Sequence, residues 1–172
     1  SAEAGDRAKA SSYTSELAAN PHPAAKQILQ IVQGILSAGA GQGSNPLASG
    51  MASLIAGNDA AAVPALKRAL EAAAPGSEGP ARELLAWALV RSGDIAGAAK
   101  LLEAGWPIPS SVEGQLTDFL VYPNLFYVRA RVAAHGKDAA AAARYYEAYI
   151  RGIGSRPDPR RQKEEALKAV RL

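Results

Sequence analysis

The sequence predicts an all-α fold, built from about three antiparallel helical hairpins. Three observations carry that prediction. Apolar residues recur at helical spacing in segment after segment, and strand-forming residues never cluster into an alternating run. Alanine swells the hydrophobic share, which reaches 48% while aromatics make up only 6%. Alanine is the best helix former and loses no side-chain entropy on burial, so such chains pack their helices closely. Finally, Gly57-Asn58, Gly93-Asp94 and Gly136-Lys137 punctuate the helical patterns at intervals of 36 and 43 residues.

A chain of 172 residues suits one domain and can bury about two-thirds of the surface its unfolded form exposes. It has no Cys, which excludes disulfides, Cys-ligated zinc and thiol catalysis and leaves the redox compartment open.

Taken in order, residues 1–19 read as a polar, Ala-rich helix with Ala10, Tyr13 and Leu17 on one stripe. Asn20-Pro21-His22-Pro23 stops it, because proline disfavours helix at the residue before it. Residues 24–38 carry Ile28, Ile31, Val32, Ile35 and Leu36 at helical spacing, and a Gly-rich loop follows to Pro46. That loop lacks the G-K-[ST] of a phosphate loop, and Ser44 stands where a dinucleotide fingerprint needs its third Gly, so it reads as a linker. Residues 47–56 and 60–73 are the next helices, the second with Pro64 in its first turn and Val63, Leu66 and Leu70 on one face. Residues 81–92 and 95–104 flank Gly93-Asp94. Residues 106–123 are irregular, with one or two helical turns over 113–121. Residues 124–134 and 138–151 form the last hairpin, Gly152 breaks it, and Asp158 caps a final helix over 159–170.

The repeated elements are a small or apolar pair on the first helix, a Gly-led turn, and small then large residues on the second helix. The central unit offers Leu85-Ala86, Leu89, Gly93-Asp94, Ala98 and Leu102. The third offers Val132, Gly136, Ala141, Tyr145 and Ala148, and the first offers Gly50, Gly57, Ala62, Leu66 and Ala69. Small residues belong where the two helices of a hairpin cross, since a large side chain there forces them apart. This pattern resembles the tetratricopeptide repeat family over roughly residues 46–152. The intervals exceed that family's period of about 34 residues by about two and about nine, the longer excess falling in the stretch 106–114. Arg129 takes the small-residue position of the third unit, so pairing there is expected to be looser or shifted by one residue. The resemblance implies a solenoid over 46–157, with residues 1–45 packed on it as N-terminal helices and a basic capping helix over 158–172.

Charge narrows the function classes. Residues 1–150 hold 12 Lys/Arg against 13 Asp/Glu, and residues 151–172 hold 7 against 3. The body is neutral, without the basic face that nucleic-acid binding needs. The tail reads as a solvated cap, with contact to an anionic membrane surface as a lesser expectation. No run of about 18 apolar residues is present to span a membrane. The two histidines, His22 and His135, fall in breaks without partners at ligand spacing, so no metal is expected. No carboxylate pair is placed by sequence for acid–base work, Glu113 and Asp118 being five apart around a loop, and no G-x-S-x-G elbow appears, so no enzyme activity and no cofactor are expected.

Apart from Tyr13, the aromatics begin at Trp87. Phe126 or Tyr127, Tyr145 and Tyr149 are expected in the core, and adjacent Tyr145 and Tyr146 point about 100° apart. First helices line a concave groove in the resembled family. By that resemblance Leu47, Met51, Leu54, Glu83, Leu84, Trp87, Arg91, Phe126 and Tyr127 are groove candidates, with Trp87 open between groove exposure and inter-repeat packing. Arg91 has no accompanying Asn, so no carboxylate clamp is expected. The expected function is non-catalytic binding of a protein or peptide. The alternatives are an assembly subunit of a bacterial envelope complex, self-association, or an accessory domain of a cell-wall enzyme. The start at Ser1 and the Ala-rich, Cys-free composition incline the reading to a trimmed, bacterial periplasmic or membrane-tethered domain, with a cytoplasmic one as the alternative.

Overall fold

The structure is a computed structural model that describes residues 2–21, 26, 29, 32–33, 45–103, 123–155, 158 and 161–170. Among these the chain forms eight α-helices and no strand. They are α1 (Ala2–Ala19), α2 (Pro46–Ile55), α3 (Asp59–Glu71), α4 (Gly79–Ser92), α5 (Ile95–Glu103), α6 (Asn124–His135), α7 (Ala139–Ile153) and α8 (Gln162–Val170). The helix expected over 24–38, the Gly-rich loop and the stretch 106–122, with Trp106, Phe119 and Tyr122, lie wholly or mostly outside the described residues.

Helices α2 and α3, α4 and α5, and α6 and α7 pack as consecutive pairs, each joined by two or three residues. Helix α4 also packs on α2 and α3, helix α6 on α4 and α5, and helix α8 on α7. Each new pair thus enters through a helix that touches both members of the pair before it.

The three connections share one geometry. A residue in the left-handed region is followed by a side chain that caps the next helix, accepting from the backbone N–H three residues on. Gly57 (φ 81°), Gly93 (φ 91°) and Lys137 (φ 63°) hold the left-handed positions. Asn58 accepts from Ala61 N at 3.2 Å, Asp94 from Gly97 N at 2.8 Å and Asp138 from Ala141 N at 2.9 Å. The left-handed residues are spaced by 36 and then 44 positions. Seven positions before each stands a buried small residue: Gly50, Ala86 and Ala130. Five positions after each comes buried Ala62, Ala98 or Ala142. The crossing is tight in the first pair, where a Cβ on Gly50 would come within 2.5 Å of Leu66 Cδ2.

The third pair is therefore shifted one residue from the register in which Gly136, Ala141, Tyr145 and Ala148 were matched. Gly136 keeps a right-handed φ of −74°, so the reversal falls on Lys137. The shift moves Arg129 off the crossing and puts Ala130 there, fully buried. Arg129 instead lays its guanidinium 5.8 Å from the Tyr145 ring. The shift also puts Tyr146 rather than Tyr145 in the core, with Tyr145 left half-buried. A non-glycine residue in the left-handed region costs about 1–2 kcal/mol. Lys137→Gly is expected to raise stability by about 1 kcal/mol, and Gly136→Ala to leave it unchanged or slightly raised. Urea denaturation of the two variants measures both.

The core runs through α4. From Leu84 to Val90 every residue is buried, the pattern of a helix packed on all sides. Its large apolar residues contribute about 1.5–3 kcal/mol each on burial. Several boundaries differ from expectation. Helix α4 starts at Gly79, two residues early, because Pro80 suits the first turn. Pro64 is the sixth residue of α3, past the first turn, and removes one N–H from the ladder on an exposed side. Helix α7 runs through Gly152 and ends where Gly154 turns left-handed (φ 53°). Helix α8 starts at Gln162 rather than 159, and Asp158 still caps it by accepting from Lys163 N.

Candidate functional site

Most of the groove candidates are seam rather than groove. Met51, Leu54, Glu83, Leu84, Trp87 and Tyr127 are all buried, Trp87 at 6% exposure. Leu47 and Phe126 are half-buried against the same core. The physical reason is the packing of α4 against α2 and of α6 against α4. The first helices touch one another, so the faces expected to line an apolar groove close on their neighbours. An unbroken apolar run in α4 is the sequence signal that the helix has no open face.

Beside this closed seam lies an open cleft with a mostly polar lining. A cleft of about 370 Å³ is lined by Asp59, Val90, Arg91, Gly93, Tyr127, Arg131, Gln162 and Glu165. It lies where the α2–α3 turn, the end of α4, the middle of α6 and the start of α8 converge. Arg91 stands on one wall. Its Nη2 is 2.5 Å from Asp59 Oδ1, and its Nη1 donates to the Leu54 carbonyl at 3.0 Å. Its guanidinium lies 5.4 Å from the Trp87 ring. The arginine thereby serves one of the last carbonyls of α2 and pins α4 to the first turn. Its side chain is 7% exposed, against 21% for Asp59.

The opposite wall carries Arg131, Tyr127 and Glu165. Arg131 Nη1 lies 2.6 Å from Glu165 Oε1 and donates to the Tyr127 hydroxyl at 3.1 Å. The Tyr127 hydroxyl donates to the other oxygen of Glu165. Below them the Tyr127 ring meets Tyr146 edge-on at 6.1 Å and Tyr149 at 5.4 Å. Only Tyr127 of this group was a candidate from sequence. Arg131 and Glu165 are 34 residues apart on separate helices, so no local spacing announces the pair.

Burial, and then the Glu165 carboxylate that accepts its hydrogen bond, push the Tyr127 phenol well above the usual tyrosine range, with Arg131 opposing. Burial raises Tyr146 as well, followed by the charge of Glu165. A raised folded value means the neutral phenol is favoured by the fold. Its contribution is complete below the unfolded tyrosine pKa of about 10 and is lost as pH climbs towards the folded value. Wild-type stability is thus expected to fall above pH of about 10, and less steeply in Tyr127→Phe. Denaturant midpoints measured across that range check the slope.

Among the described residues no three His, Asp or Glu side chains converge to hold a metal ion, and no helix is long and apolar enough to cross a membrane. His135 is exposed at the end of α6, and His22 lies outside the described residues. No protein-family model matches the chain, and neither the curated proteins nor the solved structures contain a match to it.

Proposed function

We propose that this chain is a non-catalytic, tetratricopeptide-like domain that binds a segment of another polypeptide, using the first-helix side of its hairpins. The observation that carries the reading is the threefold recurrence of left-handed residue, capping side chain and small crossing residues, at intervals of 36 and 44 positions. A recurring hairpin that buries its faces only against its neighbours is the unit of a helical solenoid. Solenoids present an extended surface along one side, and here that side carries the cleft between Arg91 and Arg131. Arg and Tyr are the usual anchors of polypeptide interfaces, and Arg131 is the half-exposed one.

Affinity capture from the source cell, comparing the wild type with Arg131→Glu and with Lys67→Glu on the exposed side of α3, tests the assignment. Recovery of the specific partner is expected to fall at least about tenfold for Arg131→Glu, as for loss of an interface anchor worth about 1.4 kcal/mol or more. It should stay near wild type for Lys67→Glu. Equal recovery with all three proteins sinks the cleft as the binding surface.

A further inference from the structure

Helix α8 has only nine residues, too few to be stable as a helix on its own. Ala166 and Gln162 are its buried residues, while Glu165 and Lys168 are exposed. Open space flanks it on both sides. Gln162 and Glu165 border the cleft of about 370 Å³, and Ala169 borders a second cleft of about 230 Å³ beside Ala142 and Tyr146. Beneath it lie the buried rings of Tyr127, Tyr146 and Tyr149. Its polar attachments are Glu165 to Arg131 and Tyr127, Gln162 to the Tyr149 hydroxyl at 3.5 Å, and Lys163 Nζ donating to the Gly154 carbonyl at 2.5 Å. Ala166 is its one buried apolar side chain, Ala169 and Val170 are half-buried at the edge of the core, and the contacts of Glu165 and Lys163 lie at solvent, so few groups hold the helix, as in elements that open locally.

We propose that α8 is a reversibly docked strap over a helix-accepting surface, and that a partner's amphipathic helix bearing a carboxylate takes its place. The floor of that surface is Tyr127, Tyr146 and Tyr149, and its charge marker is Arg131. The inference rests on the polypeptide-binding reading and names the partner's chemistry. α8 itself displays the fit: a small residue, Ala166, is fully buried there, and the carboxylate preceding it meets Arg131 and the Tyr127 hydroxyl. Helix-in-groove recognition uses this combination of an apolar face and one oriented charge. A tyrosine cluster supplies large contact area with few torsions to freeze.

Native-state hydrogen exchange on the full chain tests the strap. The amides of residues 166–170 are expected to exchange at least about tenfold faster than those of 84–90, with a weaker dependence on denaturant. Equal rates and equal denaturant dependence in the two helices overturn it. The acceptor surface is tested with a synthetic peptide of residues 158–172, added to the full-length Glu165→Arg variant, whose own strap is charge-reversed. NMR signals of Tyr127, Tyr146 and Tyr149 should shift with the unaltered peptide and not with a peptide carrying the same Glu165→Arg change. No shift, or equal shifts with both peptides, overturns the acceptor surface. Continued partner loss with Arg131→Glu would then leave the polypeptide-binding reading standing, whereas failure of both tests removes both.

Discussion

Tyr149→Ala is expected to lower stability by about 3–5 kcal/mol, the largest single effect among the side chains considered. Tyr149 is the largest fully buried side chain of the described core, at 0% exposure. It stands twelve positions after the left-handed Lys137, where Ala69 stands after Gly57 in the first pair. Truncating it removes the ring that packs at 5.4 Å on Tyr127 and leaves a cavity between α6, α7 and α8. The surrounding helices relax only in part, so the cavity adds to the lost transfer energy. Tyr149→Phe isolates the hydroxyl. That group meets Gln162 at 3.5 Å, at the limit of a hydrogen bond, so its loss should cost less than about 1 kcal/mol. Urea unfolding of both variants gives the comparison. A small effect of Tyr149→Ala would mean that the third pair is not in the register described.

Arg91→Ala is expected to cost about 3 kcal/mol, for a different reason. The change leaves the Asp59 carboxylate without the cation that faces it at 2.5 Å. It also leaves the Leu54 carbonyl without this donor and strips a cation from the Trp87 ring. Breaking a buried pair on one side costs about 3–5 kcal/mol, and the lower end applies because Asp59 keeps 21% exposure. Arg91→Lys restores the charge but not the fork that serves two acceptors, so it should recover only part of the loss. Thermal unfolding of the three proteins separates the contributions. The consequence for function is practical. Arg91 pins the second hairpin to the first, so an Arg91 variant changes the hairpin packing itself, whereas an Arg131 variant releases only the contacts to Glu165 and Tyr127 at the cleft edge and is the cleaner probe of the cleft.

Among the described residues, the helices and the first two turns were legible in the sequence because their signals are local. Asn58, Asp94 and Asp138 each follow a turn residue, and each caps the helix that follows. Gly50, Ala62 and Leu66 were legible as pattern residues of the first unit, but that Leu66 is the side chain facing Gly50 follows only from the packing. The shift in the third pair was signalled only by Arg129 at a crossing position, which left a looser pairing open as well. Gly136 is the natural choice for a left-handed turn, yet it keeps a right-handed φ and Lys137 takes the reversal, immediately before the capping Asp138. The burial of Met51 escaped, and that of Trp87 stayed open between groove and packing, for a related reason. Periodicity identifies an apolar face but not which neighbour closes over it. The wall of Arg131, Tyr127 and Glu165 is built from two helices at a distance in sequence, and it follows only from where α8 docks.

The polypeptide-binding claim is tested most directly by mapping contact. A photo-crosslinking amino acid placed at position 131, in the cleft, is compared with one at position 67, exposed on α3. In extract of the source cell, a discrete protein adduct is predicted at position 131 and not at position 67. The same adducts at both positions, or an adduct at position 67 alone, would contradict the account.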